Sequence, residues 1–154
     1  MRAFTLIEIL VVIAILGILA AMTVPQITMA AGEVAQTSFA SNIRTFAQAE
    51  LRYRIETGLF VGDSGSGTMP VELEGYIPRG EFERGTPIGG VWDFEYDENG
   101  VLSAFGVHFN GVGETRDDDF MNVIDAIVDD GDVTTGTFRR LAAGRYYWVT
   151  AELP

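Results

Sequence analysis

The chain has 154 residues and a formal net charge of -12, from 22 acidic and 10 basic residues, and no cysteine. That length suits one domain with an appended segment. The acidic balance argues against non-specific nucleic-acid binding, which needs a basic surface. Without cysteine the fold relies on packing rather than disulfides. Every basic residue is arginine. His108 is the single histidine, and neither a G-x-S-x-G elbow nor a Gly-rich phosphate loop is present. No nucleophile–base–acid set can be assembled from these residues, so the reading is not an enzyme and has no catalytic residues.

Residues 4–23 are apolar apart from Thr5, Thr23 and one charge, Glu8. About 20 apolar residues at 1.5 Å rise cross the hydrocarbon core of a bilayer, and lipid obliges such a segment to be helical. A carboxylate inside it costs on the order of 2.5–3.5 kcal/mol, which makes Glu8 a candidate functional residue. A secretory signal peptide is the competing reading. Arg2 and the small residues at Leu19-Ala20-Ala21 fit it loosely, whereas Glu8 and the length of the apolar run do not.

Ala3 followed by Phe4-Thr5-Leu6-Ile7-Glu8, the apolar run and then Pro25 resembles the N-terminus of type IV pilins and type II secretion pseudopilins. The resemblance covers residues 1–25. It departs from the family at Ala3, where glycine is usual, and in the short leader Met1-Arg2-Ala3. It implies cleavage before Phe4 by a prepilin peptidase and methylation of the new amine. It also implies that Glu8 pairs with the Phe4 amine of a neighbouring subunit during filament assembly. Elementary electrostatics agrees, because two charges in an apolar bundle cost far less paired than alone.

Pro25 removes a helical hydrogen bond and predicts a kink, with Gly17 weakening the same stretch. Beyond it Phe39, Ala40, Ile43, Phe46, Ala47, Leu51 and Tyr53 recur at helical spacing and predict a core-facing stripe. Glu50 and Arg54 are spaced to pair. Gly58 is a natural stop. A helix from Phe4 to about Glu56 would be roughly 80 Å long. Residues 59–90, rich in Gly and Pro, predict a surface-forming loop with at most short helical pieces.

Trp92, Phe94 and Tyr96 alternate with Asp93 and Glu95 as in a half-buried strand, and Asp97-Glu98-Asn99-Gly100 is a hairpin turn into a second strand, 101–108. Thr115 and Asp118 have capping-box spacing for a short helix burying Phe120, Val123, Ile124, Ile127 and Val128. Two more strands fall near 137–141 and 145–152, with Tyr146 and Trp148 on one face and Tyr147 and Val149 on the other. Asp129, Asp130 and Asp132 form an acidic turn of the oxygen-rich kind that suits Ca²⁺, though without EF-hand spacing.

The expected fold is therefore α+β. In the pilin fold that the resemblance implies, a long N-terminal helix packs through its second half on an antiparallel sheet of about four strands, with one extra helix. The expected organisation is a leader at 1–3, an apolar transmembrane and assembly half-helix at 4–30, and a head at 31–154. The head divides into an amphipathic half-helix at 31–56, the loop at 59–90 and the sheet region at 91–154. The site residues are Ala3 and Phe4 for processing and Phe4, Glu8 and Pro25 for assembly. The implied partners are other pilin-like subunits and the peptidase. The implied location is the bacterial inner membrane first, then a periplasmic or extracellular filament. A monomeric anchored or secreted binding domain is the alternative.

Overall fold

The computed structural model describes residues 5–154, without the side chains of residues 22–30. Helix α1 spans Leu6–Thr57. It ends where the Gly58 N–H donates to the Arg54 carbonyl at 2.8 Å, and Gly58 has the positive φ of 75° that a helix stop of this kind requires. The chain divides into two compact units, Met1–Val34 and Ala35–Pro154.

The second unit is built on a four-stranded antiparallel sheet in the order β1-β2-β4-β3, from β1 (Val91–Glu98), β2 (Val101–His108), β3 (Phe138–Ala142) and β4 (Arg145–Glu152). Together with the helices this is the expected α+β architecture. The β1–β2 hairpin turns at Asn99 and Gly100, both with positive φ (49° and 82°), the conformation for which Asn-Gly is selected.

One sheet face carries the main core. Phe39, Ile43 and Phe46 of α1 lie against Trp92, Phe105 and Phe138; Phe39 stacks on Trp92 at 5.0 Å between ring centres. The helical stripe differs from the expected one at its end. Leu51 is 45% exposed, and the buried face continues through Ala49 and Glu50 instead. Positions 46, 49, 50 and 53 follow the 3.6-residue period more closely than 47 and 51 do. Glu50 does not pair with Arg54. Its Oε1 accepts from Ser103 Oγ at 2.6 Å and Thr150 Oγ1 at 3.0 Å, while Arg54 lies over the Phe60 ring.

Residues 59–90 hold a 3₁₀ turn at Val71–Leu73 and a short helix α2 (Arg79–Phe82). They are more than surface. Val61, Met69, Leu73, Ile77, Phe82 and Ile88 are buried in the main core, so the segment closes one side of it.

Helix α3 (Asp118–Val128) begins two residues later than the Thr115 reading. Asp117 is the N-cap and accepts from the Phe120 N–H at 3.0 Å. Its inner face is also rotated. Met121, Ile124 and Asp125 are buried, with Val128 packed against the core, whereas Val123 and Ile127 are exposed. The observed stripe, at 121, 124, 125 and 128, is an i, i+3, i+4, i+7 set with an acid inside it. Tyr146 and Trp148 belong to the main core and Tyr147 and Val149 to a smaller cluster with Val101 and Ala104, so the two faces of β4 divide as the alternation predicts.

Candidate functional site

The N-terminal unit displays the first candidate surface. From Leu6 to Leu19 its large apolar side chains are exposed, with Leu6 at 84%. A contiguous apolar surface of this kind marks an interaction site or a membrane contact. At its start, Glu8 Oε2 accepts from the Thr5 N–H at 2.8 Å and from Thr5 Oγ1 at 2.7 Å, and the Glu8 N–H approaches Thr5 Oγ1 at 3.4 Å. This is a reciprocal capping box, in which residue and partner satisfy backbone donors at the open end of α1. The carboxylate is therefore held at the helix mouth. Among the described residues no helix is long and apolar enough to cross a membrane.

A second group of chemically active side chains lies on the sheet face turned away from α1. Asp93 Oδ2 accepts from Tyr147 OH at 2.7 Å, Ser66 Oγ at 2.9 Å and Arg145 at 2.9 Å. Arg145 also bonds Glu95. Ser66 Oγ meets His108 Nδ1 at 2.8 Å. Burial pushes the Asp93 carboxyl up, and its three donors and nearby His108 pull it back. Burial and the adjacent Arg145 push His108 down, against the opposing pull of Asp93 and Glu95. Burial and the Asp93 charge raise the Tyr147 phenol far above its ordinary value. Ser66 bonds both His108 and Asp93, leaving the histidine no separate carboxylate to orient it. The arrangement lacks the relay geometry of a hydrolase and acts as a tie between residues 63–68 and three strands.

The third group is the acidic turn after α3. Asp125, Asp129 and Asp130 each offer a carboxylate oxygen, all within 4.8 Å of one another. Asp125 is fully buried, and neither of its carboxylate oxygens has a hydrogen-bond partner. Burial first, and the neighbouring carboxylates of Asp130 and Asp129 next, push its carboxyl up to about 6. Asp132 turns elsewhere, accepting from Thr134 N–H at 2.9 Å and Thr134 Oγ1 at 2.7 Å. Among the described residues the clustered carboxylates are those of Asp125, Asp129 and Asp130, and Asp132 of the expected acidic turn is not one of them.

The family model for the prokaryotic N-terminal methylation motif matches residues 1–24. The chain carries a prepilin-type N-terminal signal. That signal is the hallmark of type IV pilins and pseudopilins, and the α+β architecture is consistent with the pilin fold. It points to a structural subunit rather than an enzyme, and it implies a prepilin peptidase and pilin-like subunits as partners. No curated protein and no solved structure matches the chain.

The residues expected to be processed, Ala3 and Phe4, lie outside the described residues, as does the side chain of Pro25. Helix α1 is continuous through position 25. Of the residues expected to serve assembly, Glu8 is described, and its observed partner is Thr5. Two features escaped the sequence reading although their signals were present. Thr5-x-x-Glu8 has capping-box spacing, and Asp125 stands one helical turn before Asp129.

Proposed function

We propose that the chain is a structural subunit of a type IV pilus-like or type II secretion pseudopilus filament. The methylation motif heading an exposed apolar helix is the observation that supports this most directly. In this reading the chain waits in the bacterial inner membrane, anchored by residues 4–30. A prepilin peptidase cuts between Ala3 and Phe4 and the new amine is methylated. The apolar stripe then exchanges lipid for the stripes of neighbouring subunits, so burial is kept while the surroundings change.

Glu8 gives that packing its register. In one subunit it already caps α1 through Thr5, which leaves its charge at the helix mouth. There it receives the Phe4 amine of the next subunit, and a mispaired register would strand both charges in an apolar bundle. The filament pushes secreted cargo or extends from the surface.

Mass spectrometry of the mature N-terminus tests processing. N-methylated Phe4 is expected, and a start near Met22 or Gly32 would instead indicate a secreted domain. The substitution Glu8→Ala tests assembly. The variant is expected to be processed and membrane-inserted yet to yield few sheared fibres by electron microscopy. Normal fibre yield would refute the pairing.

A further inference from the structure

We propose that a groove on the head receives the outer face of helix α3 from a second copy of this chain. The groove lies between α1 and β4 and encloses about 310 Å³. Its α1 wall carries Arg44, Ala47, Leu51 and Arg54, spaced i, i+3, i+7 and i+10 along one helical face, and Trp148 lines it from β4. Leu51 is exposed and Trp148 half-buried, so the middle of the groove is apolar and open. Glu50 also lines it but is buried, with Oε1 held by Ser103 and Thr150. The ends are basic. Arg44 donates to the Ile127 carbonyl at 2.5 Å and Arg54 lies over the Phe60 ring. Among the described residues neither arginine belongs to an ion pair, so in a chain of net charge -12 both remain free to meet an acid.

The outer face of α3 is the complement of that groove. Asp119, Val123, Ala126, Ile127 and Asp130 are all exposed, at i, i+4, i+7, i+8 and i+11, so one face reads acid, apolar, acid. No ion pair among the described residues engages Asp119 or Asp130. The lengths agree as well as the signs. Ten residues separate Arg44 from Arg54 and eleven separate Asp119 from Asp130, about 15 Å and about 16 Å at helical rise. With acids on arginines at both ends, Val123 and Ile127 fall on Leu51 and Trp148. Each face has one sign at both ends, so the match holds in either direction. An amphipathic helix laid in an apolar groove is an established mode of recognition. Within one chain α3 leaves the groove open, since Val123 and Ile127 are 51% and 39% exposed.

One short helix face falls below the roughly 1,200–2,000 Å² that a stable pairwise interface buries. Free chains therefore associate weakly here, and the contact takes hold where copies already stand side by side. Its charges supply orientation and selectivity more than strength. The inference rests on the filament reading for that setting alone. The two surfaces belong wholly to the head.

The chain has no cysteine, so one introduced thiol reports one contact. Full-length chains carrying Leu51→Cys are mixed in detergent with full-length chains carrying Val123→Cys, and the mixed disulfide is followed under mild oxidation. Such a bond needs Cα atoms within about 7 Å. Val71→Cys, 74% exposed and outside both faces, is the control partner. The Val123→Cys chain is expected to link to the Leu51→Cys chain at least about tenfold faster than the control does. Adding Arg44→Glu and Arg54→Glu to the Leu51→Cys chain should slow linking by about tenfold, and adding Asp119→Arg and Asp130→Arg to its partner should restore it. If Arg44→Glu disturbs folding, Arg54→Glu alone should slow linking in the same direction. Equal rates for Val123→Cys and Val71→Cys overturn the proposal. So do folded, charge-reversed chains that link as fast as the unreversed ones. The chains are unassembled throughout, so a failure here is distinct from a failure of Phe4 processing or of fibre yield.

Discussion

Phe46 is where the two uses of α1 separate most cleanly, and Phe46→Ala in a head comprising residues 31–154 is the sharpest prediction. Its ring is 2% exposed and packs 5.1 Å from Trp92, 5.1 Å from Phe105 and 6.1 Å from Phe82. The Trp92 and Phe105 contacts are edge-to-face, the geometry that adds about 0.5–1.5 kcal/mol per pair beyond burial. A Phe→Ala change of this type costs about 3–5 kcal/mol through lost transfer energy and the cavity left behind. Rings on three sides leave little freedom to collapse into that cavity, which places the change toward the upper end. Against a domain stability of about 5–15 kcal/mol this is a large fraction. At roughly 3–5 °C per kcal/mol for a head of this size, the melting temperature should fall by about 10–25 °C. Leu51→Ala is the internal control. Leu51 sits on the same helix but is 45% exposed, so its loss should cost under about 1 kcal/mol. The assay is thermal unfolding of the soluble head followed by near-ultraviolet circular dichroism. The reasoning fails if the head is unfolded as made, if Phe46→Ala shifts melting by a degree or less, or if Leu51→Ala costs as much.

Three further outcomes follow from the outer sheet face. Arg145→Met strands Asp93 and Glu95, both nearly fully buried, and should destabilise the head by about 3–5 kcal/mol in urea unfolding, the usual cost of breaking a buried pair. His108 has a folded-state value below its ordinary one, so the unfolded chain takes the proton first as pH falls. Stability present above about pH 6.5 is therefore lost as pH drops through the lower folded value, and His108→Gln should flatten that slope between about pH 7.5 and 5. Asp93, raised by burial, acts in the opposite sense, so the histidine's part is read as the difference between the wild-type and His108→Gln slopes. Gly106→Ala should prevent folding, seen as loss of the near-ultraviolet signal, because a Cβ there would overlap the Tyr146 carbonyl and the Tyr147 backbone of the paired strand β4.

What was legible in the sequence was local. The apolar run, the Asn99-Gly100 turn and the divided faces of β4 all depend on neighbours within a few positions, and all appear in the fold. The alternation expected for β1 does not: Trp92 and Phe94 are buried, but so are Asp93 and Glu95, which pair with Arg145, while Tyr96 is exposed. The Gly- and Pro-rich stretch misled because its composition signals turns, while its apolar residues are spaced irregularly and reveal their burial only once α1 and the sheet surround them. The polar sites show the limit most clearly. Glu8, Glu50 and Asp125 share one signature, an acid on the apolar stripe of a helix, yet each is accommodated differently. Glu8 finds its donors three residues away in Thr5, so spacing alone contained the answer. Glu50 finds Ser103 and Thr150, 53 and 100 residues away, and no local pattern points to them. Asp125 has no donor and faces two further acids, so only the fold exposes it as incomplete. A stripe-breaking acid tells the reader that a partner is required, and the identity of that partner is a property of the tertiary structure.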